Sequence, residues 1–561
     1  NTYAGVTTVN AGSLIVNGSI TSSSLTTVNA GGTLAGSGTV GNTAIAGGTL
    51  APGSTGSIFG PLTVQGTLSF TAASTYMIQV SPANAGRTNV TGAATLGGAT
   101  VSAVFGAGSY VKKQYTILNA TGGVAGTFNP AVASNMANIQ STLSYDANNA
   151  FLNIDLKFVS PGGLSTNQQN VANTLTNFFN STGAIPAAFA GLNAGGLTVA
   201  SGELGTGIIR SAINADGQFL NMLLDSSIAG RSGAFVPPGS ASQYAADEDA
   251  MAYALKRLAT PSERAAFAMA TKAPLLSAQP ANRWSVWGAA YGGSATTGGN
   301  AVIGSQDLSA RVWGVAAGAD YRVAPNTLIG FALGGGGTNY SLANALGRGS
   351  SDMFQAGVFG RHNFGPAYIS AALAYGWHDV TTNRTVTLAG FDQLRARYQA
   401  ETFSGRFEGG YRFATPVVGI TPYAAAQVTS FRLPSYAEQA VIGAPLFALN
   451  YAGQTTTATR SELGLRTDKS WALQGAMLTL RGRAAWAHDY NPDRTVTTLF
   501  QALPGTAFVV NGARGNADAA LVSTGAEVKW LNGFSLAGTF EGEFSGNVTS
   551  YAGKGVAKYS W

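Results

Sequence analysis

The sequence predicts an all-β chain with a helical linker: an N-terminal parallel β-helix (solenoid) segment followed by a transmembrane twelve-stranded antiparallel β-barrel. Three observations predict it. Charged residues make up only 10% of 561 residues while glycine reaches 75, far from the quarter or so that is charged in a soluble globular chain. No run of about 18 consecutive apolar residues is present, which excludes a membrane-spanning helix. From Arg283 to Trp561, strand-length runs alternate apolar residues on one parity with polar or charged residues on the other.

The first sixty residues repeat themselves. "TTVNAGSL" at Thr7 returns as "TTVNAGGTL" at Thr26, and "AGGTL" at Ala30 returns at Ala46. Short β-branched runs separated by Gly and Asn turns at such offsets predict stacked solenoid rungs over residues 1–57. Residues 58–160 keep strand character, as in "GTLSFTAASTYMIQV" and "NAFLNIDLKF", but lose the repeat, and are expected to cap the stack. Through Ser160 the only charged residues are Arg87, Lys112, Lys113, Asp146, Asp155 and Lys157.

At "SPGGLSTNQQNVANTLTNFF" the period changes from 2 to about 3.6. Val171, Leu175 and Phe178 space out one helix face, and Ser165 or Thr166 can cap its start. With a second helical run, "GIIRSAINADGQFLNMLLD", this predicts a helical linker over residues 161–240. Residues 241–282 contain "AADEDAMAYALKRLATPSERAAFAMA". Here Asp247, Glu248 and Asp249 open a helix and Lys256 and Arg257 close it, as the macrodipole prefers. Thr260 and Glu263 then form a capping box around Pro261.

The barrel is expected over residues 283–561, which hold all eight Trp and all three His. In "ETFSGRFEGGYRF", Phe403, Phe407, Tyr411 and Phe413 oppose Arg406, Glu408 and Arg412. In "MLTLRGRAAWAHDY", Leu478, Leu480 and Trp486 oppose Arg481 and Arg483. In "FSLAGTFEGEFS", Leu536, Phe540 and Phe544 oppose Glu541 and Glu543. The seven charged residues are therefore candidates to face the lumen. Connections alternate short and long, the pattern of a bacterial outer-membrane barrel rather than of a soluble sandwich. Closing such a sheet pairs every backbone group inside the protein, which lipid demands.

Twelve strands place both barrel ends on the short-turn side. The preceding chain either stays on that side, with its helices packed at the barrel mouth, or passes through the lumen. A lumen helix needs small and charged residues, and residues 241–282 meet that description, with Asp247, Glu248, Asp249, Lys256, Arg257 and Glu263 as its candidate contacts.

Catalysis is not expected. The chain has no cysteine, no G-x-S-x-G elbow and no metal-ligand cluster, so no catalytic residue, metal or cofactor is assigned. The sequence pairs His378–Asp379 and His488–Asp489 read as rim residues near strand ends. A net charge of +6 without a basic cluster speaks against nucleic acid as a partner.

"ASGELGTG", "FLNMLLD", "RWSVWGAAYGG", "GFALGGGGTNY", "RSELGLRTDK", "RGRAAWAHDY" and "FQALPG" carry a family likeness. With their order, they make the chain resemble the C-terminal part of a classical monomeric autotransporter (type V secretion). The resemblance implies the end of a β-helix passenger, an autochaperone-like region, a helical linker and a twelve-stranded translocator. It implies a monomer in outer-membrane lipid that exports and anchors its own passenger, adhesin-like, with the residues before the lumen helix at the cell surface. It also implies periplasmic chaperones and the barrel-assembly machinery as partners, with Tyr559 and Trp561 of the closing "SYAGKGVAKYSW" as the assembly signal. The alternative is an outer-membrane channel or transporter with a periplasmic β domain; a third reading is a surface hydrolase passenger.

Overall fold

The computed structural model describes residues 2–81, 84–106, 110–225 and 283–561. They form two compact units. The first comprises Asn1–Ser201 with Val386–Phe391 and Leu499–Phe508; the second comprises Gly202–Thr385, Asp392–Thr498 and Val509–Trp561.

The first unit is a three-sided solenoid. Strands pair in parallel within each side, with Thr7 opposite Thr26 and Thr26 opposite Thr43. On the second side Leu34, Leu50, Tyr76 and Val101 lie in register, and all four are fully buried. No single rung buries such a ladder; the stack does. Polar ladders run outside it, with Asn29 Nδ2 donating to Asn10 Oδ1 at 2.7 Å.

The rungs do not end at residue 57. Parallel pairing continues through Thr75–Val80 with Thr100–Phe105, and on to Ala133–Ser134. The sequence repeat fades because the rungs lengthen: Thr7 to Thr26 is 19 residues, whereas Ala94 to its partner Val124 is 30. A wider rung encloses larger side chains, and Phe70, Tyr76 and Phe128 fill it with ring centroids 5.6–5.7 Å apart. An antiparallel layer then closes the stack, Gln114–Ala120 on Asn149–Leu156 and Asn149–Leu156 on Ile139–Tyr145.

The helix Thr166–Thr182 follows, with Ser165 and Gln168 forming a reciprocal capping box and Gly183 in the left-handed region at its end. Asn138 Nδ2 donates to the carbonyls of Ala190 and Leu192. Phe189 packs edge-on against Phe500, with centroids 5.0 Å apart.

The second unit is a closed antiparallel barrel of twelve strands. In order they are Trp284–Thr297, Leu308–Ala324, Thr327–Leu342, Arg348–Phe364, Ala367–Val386 and Asp392–Tyr411, then Gly419–Leu433, Gln454–Leu473, Ala476–Asp489, Asp518–Trp530, Phe534–Phe544 and Val548–Ser560. The twelfth pairs with the first from Ser285 opposite Ser560 to Thr297 opposite Val548. Closure leaves no edge with unpaired N–H and C=O groups.

The outward parity is apolar and exposed, including Trp313, Leu333, Val358, Leu373, Phe407, Leu465 and Phe540. Inward aromatics lie over glycines. A Cβ on Gly318 would stand 2.4 Å from Trp287 Cζ2, so only glycine permits that ring to lie flat on the wall. Connections are short at the end that carries Trp284 and Ser560, and longer at the other end. The exceptions are residues 412–418 at the first end, a seven-residue connection, and residues 545–547 at the second, a three-residue turn.

The expected linker region, 161–240, divides between the two units. Residues through Ser201 pack with the first, whereas Gly202–Asp225 pack with the barrel. Residues 241–282, with Asp247, Glu248, Asp249, Lys256, Arg257 and Glu263, lie outside the described residues.

Candidate functional site in the barrel lumen

Among the described residues, the helix enclosed by the barrel is Gly207–Leu223. Its sequence is suited to enclosure. Ile208, Ala212, Ala215, Phe219, Leu220 and Leu223 recur at helical spacing and are fully buried. Phe219 seats on the third and fourth strands. A Cβ on Gly334 would lie 3.2 Å from its ring and one on Gly357 3.0 Å from it, so these glycines make the socket. Ala316, Ala332, Met353 and Phe359 complete the apolar contact.

Asp216 interrupts this apolar face and is fully buried. Its carboxylate accepts from Gln355 Nε2 at 2.8 Å and from Ser404 Oγ at 2.7 Å. Tyr291 OH in turn donates to Gln355 Oε1 at 2.6 Å. Three strands thus converge on one side chain of the helix. Gly376 gives the space: a Cβ there would lie 2.9 Å from Asp216 Oδ1 and 3.4 Å from His378 Nε2.

The opposite wall is charged. Arg406 grips Glu462 with two nitrogens, at 2.9 and 2.8 Å, and reaches Glu408 Oε2 at 3.2 Å. Arg466 binds Glu408 and donates to Tyr368 OH at 3.0 Å. Arg483 donates to Glu462 Oε2 at 2.9 Å and to Tyr423 OH at 2.7 Å. Arg481 pairs with Glu527 at 2.6 Å, and Arg412 with Asp468 at 2.7 Å. Glu541 meets Lys554 Nζ at 3.0 Å, and Glu543 meets Arg460 at 3.0 Å.

Lys554 also binds Asp225, just past the helix end, so the wall takes hold of the helical segment at a charge as well as at Phe219. A cavity of about 140 Å³ separates Arg210, Asn214 and Asn221 on the helix from Arg460, Glu462 and Arg483 on the wall. The helix therefore shows an apolar face to one side of the barrel and a polar face to the other.

All seven charged candidates of the strands find ion-pair partners: Arg406, Glu408, Arg483 and Glu543 join one cluster through Glu462, Arg466 and Arg460, whereas Arg412, Arg481 and Glu541 sit in separate pairs. The structure adds members that strand parity alone did not single out: Asp216, Tyr368, Glu462 and Arg466. An Asp at helical spacing between Ala212 and Leu220 was the available signal for a buried, partnered carboxylate. His378 is fully buried in the lumen rather than at a rim. Asp379 pairs with Arg397, and His488 with Asp518, so neither His–Asp sequence pair forms a dyad with its neighbour. Among the described residues no three His, Cys, Asp or Glu side chains are grouped to hold a metal ion.

Beyond the strands, Glu203 is almost fully buried, and its Oε1 accepts from the Gln306 backbone at 2.9 Å. Burial pushes its carboxyl up to about 8, against which the Gln306 hydrogen bond acts. At the short-turn end Tyr559 and Trp561 stack outside the barrel, with centroids 5.7 Å apart. Lys558 points inward to Asp320 Oδ2 at 2.8 Å. The backbones of Trp284 and Trp561 bond each other reciprocally, at 3.1 and 3.3 Å.

An even-numbered antiparallel barrel with an apolar exterior and a charged interior is an outer-membrane β-barrel. The family model described as Autotransporter beta-domain matches residues 286–541, so the barrel is an autotransporter β-domain, an outer-membrane translocator. An extracellular serine protease of Serratia marcescens is 28% identical over 582 residues, covering 98% of this chain and 53% of that protein. This chain thus spans about half of that relative's length. The adhesin BmaC autotransporter of Brucella suis biovar 1 (strain 1330) is 54% identical over 59 residues, 10% of this chain and 2% of that one. The translocator domain of the autotransporter NalP from Neisseria meningitidis overlaps 57% of this chain and 99% of its own, at 15% identity and a TM-score of 0.40.

Proposed function

We propose that the barrel exports the segment N-terminal to it across the outer membrane and then holds it at the cell surface through the lumen helix. One observation carries this reading: the helix Gly207–Leu223 lies inside the barrel, anchored by Asp216 and Phe219. A channel with a periplasmic domain has no need of a covalently attached helix fixed in its lumen. Surrounding lipid, periplasmic chaperones and the barrel-assembly machinery are the partners this role requires, with Tyr559 and Trp561 as the assembly signal, and the unit acts as a monomer.

The translocator is not itself a catalyst. For the exported solenoid we favour an adhesin-like role. The Serratia relative's name brings a protease passenger into view, but residues 1–160 contain no histidine, so a Ser-His-Asp triad cannot be assembled from this stretch. Protease added to intact cells tests the export reading. Digestion of residues 1–160 with an intact barrel is expected, and full protection of that segment refutes it.

A further inference from the structure

Four buried tyrosines surround the chain where it enters the lumen helix. Tyr398 of the sixth strand stacks on Tyr436 at 3.8 Å between centroids, and Tyr436 on Tyr451 at 4.5 Å. Tyr340 of the third strand lies against Gly207. All four rings are at most 9% exposed. The segment they meet is "GELGTG", with Gly202, Gly205 and Gly207 at near-regular spacing.

Each glycine is required by an aromatic or aliphatic group of the barrel. A Cβ on Gly205 would lie 2.5 Å from Tyr451 Cε1, and one on Gly207 2.6 Å from Tyr340 Cδ2. A Cβ on Gly202 would lie 2.2 Å from Leu449 Cδ1, and its φ of 73° is one that glycine adopts without strain. Tyr451 OH donates to the Gly202 carbonyl at 3.0 Å, a contact to backbone that fixes position along the chain.

The collar is braced from behind. Arg384 and Glu438 form a fully buried bidentate pair at 2.9 and 2.6 Å. Arg384 also donates to the Phe447 carbonyl at 2.8 Å, and Glu438 accepts from the Leu449 backbone at 3.0 Å. The connection carrying Tyr436, Leu449 and Tyr451 is thereby tied to the fifth strand. Charge-assisted bidentate pairs of this kind impose geometry as well as attraction.

We propose that these tyrosines form a collar selecting the glycine-marked segment Gly202–Gly207, so that a passing chain halts in one register. Side chains elsewhere in the exported segment pass the collar without a fit. The glycines admit the ring stack to the backbone, and Tyr451 closes on the Gly202 carbonyl. Gly202, Gly205, Tyr340 and Tyr451 are thus positioning residues for the lumen helix. The proposal rests on the export reading above.

The test uses the full chain, reconstituted in planar bilayers and expressed in intact cells, with Gly205→Leu, Tyr451→Ala, their combination, and Gly195→Leu as a control outside the collar. Gly205→Leu is expected to raise the mean single-channel current several-fold, while residues 1–160 remain digestible on intact cells. The double variant is expected to return toward the parental current, because the Leu occupies the space of the removed ring. Parental currents in both single variants, inserted at normal levels, overturn the collar and leave the export reading standing. Protection of residues 1–160 in the parental chain overturns export instead. If Gly205→Leu does not insert, Tyr451→Phe reads the same question by deleting only the donor to Gly202. Its current is expected to exceed the parental one, and an unchanged current counts against the collar.

Discussion

Ser404 of the sixth barrel strand donates its hydroxyl to Asp216 of the enclosed helix at 2.7 Å. The bond joins residues 188 apart in sequence and, with Gln355, leaves the carboxylate satisfied where water is excluded. A buried carboxylate without such donors would be heavily penalised. Asp216→Ala is therefore expected to lower the stability of the seated helix by about 1–3 kcal/mol, since it strands the donors of Gln355 and Ser404. Ser404→Ala should cost less, because Gln355 remains. Thermal unfolding of the detergent-solubilised chain, followed by its electrophoretic mobility shift, ranks the two; the reverse order would contradict this role for Asp216.

The charged wall makes a second prediction. Glu462 receives both Arg406 and Arg483 and is only 4% exposed at its side chain. Removing one partner of a buried pair costs about 3–5 kcal/mol, because the remaining charge is uncompensated. Arg412 and Asp468 are 33% and 26% exposed, so water replaces either one. Glu462→Ala should lower the unfolding temperature far more than Asp468→Ala. Equal effects would show that lumen water screens both sites alike.

Glu203 yields a pH dependence. Its carboxyl is raised in the folded state to about 8, so the folded form prefers it protonated. The associated stability is fully present below the ordinary carboxylate range. It declines as pH rises from there and is lost once pH passes about 8. Raising pH from 6 to 9 should loosen the Gly202–Gly207 segment, measured by faster amide exchange there. Glu203→Gln should flatten that profile, and an unaltered profile in the variant would assign the dependence to another group.

Assembly supplies the fourth. Trp561 is half exposed on the outer surface and stacks on Tyr559, while its backbone closes the seam with Trp284. Trp561→Ala keeps the backbone bonds and removes only the ring. Reduced barrel levels in the outer membrane, with accumulation of unfolded chain, are expected. Normal levels would remove Trp561 from the assembly signal.

The twelve strands were legible because a period of 2 survives in every run, whatever the residues. The rungs beyond residue 57 were not, since parallel strands of unequal rung length carry no fixed spacing and Leu50 is followed in its ladder by Tyr76. Arg406 and Glu408 could be assigned to an inward face by parity. Their partners Glu462 and Arg466 lie two strands further on, and which inward side chains meet across the intervening strand is set by pairing register rather than by local pattern. The helix in the lumen was the hardest element to place. The stretch 207–223 mixes apolar, small and charged residues, and its seat in the lumen is shown by the Asp216 contacts with Gln355 and Ser404, partners more than a hundred residues away in sequence.

The solenoid's surface is built from Asn, Thr and Ser ladders such as Asn10–Asn29, with six charges in its first 160 residues. Such a surface exerts almost no long-range field on an approaching molecule. Encounters with it proceed at rates that ionic strength hardly alters, and discrimination falls to shape and to short hydrogen bonds made after contact. A projection of this kind works alike in brine and in dilute water.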